Sequence, residues 1–135
     1  MAIHTFQIGT ARARGEGVRV GAVRFLPRGV RKKDYARLDY FDVWMPLLAP
    51  SRKLLASMKG KDWEDSAVLK RFFRCYRREL LADTERKQTL LLLAELGKSA
   101  NLCVGCYCPD ENRCHRSELS RLLYAAAEGR LDRTT

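Results

Sequence analysis

Four of the five cysteines of this chain fall in one stretch, beside one of its two histidines. The stretch reads Leu102-Cys103-Val104-Gly105-Cys106-Tyr107-Cys108-Pro109-Asp110-Glu111-Asn112-Arg113-Cys114-His115-Arg116-Ser117. Three chemistries suit these residue types. The first is metal binding. Cys103, Cys106, Cys108 and Cys114, with His115 beside them, are soft donors, and a closed structural zinc site needs four. Gly105 permits the turn of a knuckle between Cys103 and Cys106. The same run also reads as a buried strand, in which thiols pack as small apolar groups. On a strand, Cys106 and Cys108 share one face and Cys103 points to the other.

The second chemistry is anion binding. Cys114-His115-Arg116-Ser117 opens a helical pattern, and unpaired N–H groups at a helix start attract phosphate, sulfate or carboxylate. Arg116 adds a fork of donors, and Ser117 is either a cap or a ligand contact. From other segments, Arg24 and Arg28 flank the end of an apolar run and can reach the same rim. Tyr76 and Glu79 interrupt an apolar helical stripe and so need polar partners. The competing reading pairs Arg28 and Arg116 with surface carboxylates. An Arg116 on such a rim is expected to be replaceable without loss of melting temperature.

The third chemistry is nucleophilic. A helix start and nearby arginines favour a thiolate, so Cys114 or Cys108 can be the reactive group. His115 then serves as general acid-base, as an orienting group, or as a satisfied polar residue. The cysteine–arginine spacing of a tyrosine-phosphatase loop is absent. So are a glycine-rich phosphate loop, a His-Glu-x-x-His motif and a serine elbow.

The elements that position these residues follow from periodicity. His4 to Thr10 alternates as a strand, and Val18 to Phe25 as a second, stopped by Pro27 and Gly29. Pro46 and Pro50 break the aromatic stretch from Tyr40 to Leu48. Ser51 caps a short helix to about Met58. Asp62 begins a longer one, with Asp65 in its first turn and Val68, Phe72, Cys75, Tyr76, Glu79 and Leu80 on one stripe. Asp83 or Thr84 opens a third helix to Leu96, with Gly97 as the stop. Leu102 to Cys108 is a strand. Leu119, Leu122, Leu123 and Ala126 mark the buried side of a last helix that ends at Gly129. Helix–strand–helix order implies parallel pairing. The expected fold is a single α/β domain over residues 1–129, a small mostly parallel sheet with helices packed on it, and a loose tail over residues 130–135. Ligands of such sheets sit beyond the carboxyl ends of the strands, where Pro109 to Arg113 lies.

A chain of 135 residues supports one core. Its longest apolar run, Thr89 to Leu96, is far shorter than the roughly 20 residues of a membrane span, so no membrane association is expected. No secretory signal is visible, which points to the cytoplasm, where thiols stay reduced. The odd count of cysteines agrees, since disulfide frameworks use pairs. The net charge of +10 favours polyanionic partners, nucleic acid among them.

Several separated stretches resemble one family. Gly17-Val18-Arg19-Val20, then Arg24-Phe25-Leu26-Pro27-Arg28-Gly29-Val30, are followed by Trp44 and Ala49-Pro50-Ser51. Phe73 to Leu80 matches a helix of Arg-x-Tyr type with Glu-Leu. Cys106 stands ahead of Cys114-His115-Arg116. In this order they resemble the domain-of-unknown-function 488 family, in particular its YeaO-like branch. The resemblance runs from about Ile8 to Leu123 and implies a small α/β fold without an established activity. Where the family has Asp-Arg-Leu-Trp, this chain reads Val23-Arg24-Phe25-Leu26, and Cys103 and Cys108 lie outside the family pattern. The leading expectation is binding of a phosphate-bearing ligand, a nucleotide or nucleic acid, by Arg24, Arg28, Tyr76, Arg116 and Ser117. The alternatives are a cysteine-dependent enzyme using Cys114 and His115, or a structural zinc module with a basic, nucleic-acid-binding surface.

Overall fold

A computed structural model describes residues 2–131. Among them, four strands pair in one all-parallel sheet: β1 (Ile3–Gln7), β2 (Val18–Gly21), β3 (Val43–Trp44) and β4 (Leu102–Cys106), in the order β1-β4-β2-β3. The helices are α1 (Arg52–Ser57), α2 (Ser66–Ala82), α3 (Thr84–Leu96) and α4 (His115–Ala127). This is the expected α/β class. None of the helices among the described residues is long and apolar enough to cross a membrane.

Strand alternation divides the core in two. Ile3, Val20, Leu102 and Val104 face the helices and meet Tyr76, Leu80, Leu90, Leu93, Leu119 and Leu123. Each such buried side chain contributes about 1.5–3 kcal/mol. The opposite face carries Phe6, Ile8, Val23 and Cys103, covered by Tyr35 and Phe41 from the connection between β2 and β3. Arg19 is fully buried on that face. It is bonded to Glu16 at 2.5 Å and to the Asp39 carbonyl at 2.6 Å, and lies 4.3 Å over the Phe6 ring. Gly105 is required where it stands, because a Cβ there would come within 2.5 Å of Phe6.

Boundaries differ from expectation for local reasons. β1 stops at Gln7 because Gly9 turns with φ +96°. β2 ends at Gly21 and β4 at Cys106, leaving Cys108 outside the sheet. α2 begins after Asp65, not at Asp62. Asp62 holds the Glu64 N–H in a preceding turn, while Asp65 caps the helix through the Ala67 N–H. Ser51 and Asp83 cap α1 and α3. Of the tail, Leu131 packs on the core and residues 132–135 lie outside the described residues.

Candidate functional site

A cavity of ≈ 200 Å³ opens beyond the carboxyl ends of β2 and β4. Cys106, Cys114 and His115 line one side, and Trp63, Phe72 and Leu55 line another, with Arg24 and Arg113 also lining it. A larger hollow of ≈ 270 Å³ between α1 and α2, lined by Leu54, Met58, Val68 and Cys75, holds none of the strand-end chemistry.

Cys106 is the last residue of β4, and Cys114 is the N-cap of α4 with an extended backbone. The two sulfurs are joined in a disulfide, with Cα atoms 7.6 Å apart. This differs from the expectation of reduced thiols throughout. The Cys106 sulfur also faces two donors, the Cys108 N–H at 3.4 Å and Arg116 Nη1 at 3.3 Å.

His115 is buried and opens α4. Its Nε2 lies 2.6 Å from the Ala22 carbonyl oxygen. A carbonyl only accepts, so the proton sits on Nε2 and the neutral ring keeps its lone pair on Nδ1. That nitrogen is 3.7 Å from Cys114 Sγ. Burial pushes the imidazole down to about 4, with Arg116 adding to the shift and the Ala22 bond opposing it. The ring stacks edge-to-face on Tyr76 at 5.3 Å.

Arg116 is only 4% exposed. Its Nη1 donates to the Cys108 carbonyl at 2.5 Å, and its Nε has no hydrogen-bond partner. Among the described residues no carboxylate pairs with it. Glu118 pairs with Arg77 and Arg121, Asp110 with Arg113, and Glu79 with Arg86. In place of a carboxylate, this buried cation meets the Cys106 sulfur and the Cys108 carbonyl.

Arg24 donates to the Ala49 and Pro50 carbonyls at 3.2 Å each. Its pKa is lowered by burial and by Arg86 and Arg52, against the opposing pull of Glu79. Glu79 fixes the segment that holds Arg24, accepting the Ser51 N–H at 3.0 Å and the Ser51 hydroxyl. The polar residue on the α2 stripe is thus a support for the cavity's cation.

The candidate residues separate as follows. Arg24, Cys106, Cys108, Cys114 and His115 line the cavity. Arg116 lies behind it, buried, rather than on its rim. Tyr76 is fully buried behind His115, its hydroxyl donating to the Leu48 carbonyl at 2.5 Å. The Ser117 hydroxyl donates to the Cys114 carbonyl at 2.9 Å. Arg28 is exposed and lies outside the cavity lining. Cys103 belongs to the opposite face, 3.9 Å from Glu16, where burial pushes its thiol up to about 12. Cys108 is exposed, with its thiol raised by partial desolvation against the opposing pull of Arg116. The four cysteines therefore do not converge. Cys106, Cys114 and His115 do, with their donor atoms within 4.8 Å of one another. Sequence reasoning missed Trp63 and Phe72 as cavity walls. The T-shaped stacking of the pair at 5.3 Å depends on the turn before α2, which spacing alone does not show.

A family model, DUF488-N3a, described as the active DUF488-N3 subclade, matches residues 3–127, and the chain belongs to this family. No curated protein and no solved structure matches it.

Proposed function

We propose that this DUF488-N3a chain binds a phosphate-bearing ligand of nucleotide size in the cavity beyond β2 and β4. The observation that carries this reading is Arg24. Its guanidinium lines a largely apolar cavity, bonds only to backbone carbonyls, and is crowded by Arg52 and Arg86. Such a cation favours an anion, and the aromatic wall of Trp63 and Phe72 suits a planar, apolar body. The volume admits one base and not a helix, so a free nucleotide is preferred to a nucleic-acid duplex. The net charge of +10 raises the local concentration of either.

The test is calorimetric titration with adenosine monophosphate, adenosine and inorganic phosphate against wild type and Arg24→Gln. A charge-assisted contact of about 1.5–3 kcal/mol gives roughly a 10- to 150-fold loss for the monophosphate and little for adenosine. Equal affinities in both proteins would refute the assignment.

A second reading has its own observation. The Cys106 sulfur receives a backbone N–H and a buried guanidinium, the surroundings that make a nucleophilic thiolate once the pair is reduced. A cytoplasmic setting, where thiols stay reduced, suits both readings. Pro27-Arg28-Gly29 and Cys114-His115-Arg116 support the YeaO-like branch.

A further inference from the structure

We infer that reduced Cys106 and Cys114, together with His115 Nδ1, form a three-donor site for a zinc-class divalent ion whose fourth position opens into the cavity. The inference does not depend on Arg24 or on the phosphate-bearing ligand. The three donor atoms lie within 4.8 Å of one another, and all three residues are buried. A tetrahedral ion with bonds of about 2.0–2.3 Å holds its donors about 3.5–3.8 Å apart. Cys114 Sγ and His115 Nδ1 are already 3.7 Å apart. The Cα atoms of the two cysteines, 7.6 Å apart, exceed the usual disulfide range of about 4.4–6.8 Å. At that separation both sulfurs can reach an ion between them.

The surroundings favour the same assignment. A metal-bound histidine commonly donates its other N–H to a backbone carbonyl, as Nε2 does to Ala22 at 2.6 Å. That bond leaves the Nδ1 lone pair on the side of the sulfurs. Cys106 Sγ is met by the Cys108 N–H and by Arg116, donors that suit a metal thiolate. Arg116, 4% exposed and without a carboxylate partner among the described residues, places a positive group 3.3 Å from one of the two sulfurs. Three protein donors facing a cavity is the open arrangement of a reactive zinc site, not the closed set of a structural one.

The disulfide form has no free sulfur for the ion. Reduction breaks the S–S bond with two electrons from a phosphine and two protons from water, whose oxygen ends on the phosphine as its oxide. Binding then releases the two thiol protons to the buffer.

The experiment is cobalt titration of the full chain, without a histidine tag, reduced with a phosphine and freed of metal. Reduced protein is expected to take up one cobalt per chain, with thiolate-to-cobalt absorption that zinc bleaches. Unreduced protein is expected to take up none. Cys106→Ser and Cys114→Ser each lose sulfur absorption, His115→Ala weakens uptake at least tenfold, and Cys103→Ala and Cys108→Ala change nothing. Because the buried variants can fail to fold, X-ray absorption of zinc-loaded wild type decides independently, with two sulfurs and one nitrogen expected. Absence of stoichiometric uptake, uptake by the disulfide form, or a four-sulfur shell would each overturn the site.

Discussion

Replacing Arg116 by Met should make the Cys106–Cys114 pair harder to reduce. The guanidinium is buried, has no carboxylate among the described residues, and sits 3.3 Å from the Cys106 sulfur. In the disulfide that sulfur is neutral. After reduction it can carry a charge beside Arg116. The guanidinium therefore stabilises the reduced form and gives the oxidised form much less. Opposite charges this close favour ionisation by about 1–3 pKa units, or about 1.4–4 kcal/mol. An unscreened Coulomb value at low dielectric would be larger, but burial costs the ions several kcal/mol and brings the net back to this range. A free thiol of ordinary value, about 8.5, is mostly protonated at pH 7.5, so only part of that preference counts there, and the ratio of reduced to oxidised protein at fixed redox poise should fall about 2- to 90-fold.

The assay equilibrates metal-free protein in dithiothreitol buffers at pH 7.5, quenches with acid, and counts thiols by mass. Chelator is present throughout, because zinc would also favour the reduced form. Met fills nearly the same space as the arginine stem, so packing is largely kept. The Cys108 carbonyl does lose its donor, at about 1–3 kcal/mol in both redox states, and melting of each form checks that the variant folds. Arg116→Lys keeps the charge and should recover part of the shift. An identical midpoint in wild type and Arg116→Met would refute the claim that this arginine balances a thiolate.

Two further predictions concern the frame. Gly17 has φ +84°, and a Cβ there would lie 1.9 Å from the Asn101 carbonyl oxygen, so Gly17→Ala should cost at least about 3 kcal/mol. That lowers the melting temperature by roughly 10 °C or prevents folding, and near-wild-type melting would show that the loop before β2 is free to move. Asp42 accepts two bonds from Arg12 and the Arg19 N–H, and the Arg12 bond leads in holding its carboxyl below the usual value. The folded state thus binds this proton less readily than the unfolded chain. Its contribution is present above about pH 4 and is lost as pH falls through the lowered value. Melting of wild type should drop more steeply than that of Asp42→Asn between pH 4.5 and 2.5, and parallel slopes would assign acid sensitivity elsewhere.

The elements were largely legible because their signals are local. Ser51, Asp83 and Gly97 sit at the helix ends where capping chemistry puts them. β3 was not legible, since Val43–Trp44 is two residues long and exists through pairing with β2. The site was legible in composition and not in geometry. Neighbouring residues inside a helix point in different directions, which argues against Cys114 and His115 acting together. Cys114 is not inside the helix. Its φ of −116° and ψ of 144° are those of a cap, and that extended residue lets its sulfur approach the ring of His115. Arg28 and Arg116 looked alike as cations near strand ends. The turn at Gly29, with φ +72°, accompanies an exposed Arg28. The start of α4 buries Arg116 against Cys106. Which arginine stays in solvent and which meets a sulfur depends on contacts between β4, α4 and the Cys108 carbonyl that no single segment encodes. The same contacts turn a cysteine-rich strand, readable as a four-thiol knuckle, into a cluster of two sulfurs and one imidazole, with Cys103 committed to the opposite face of the sheet.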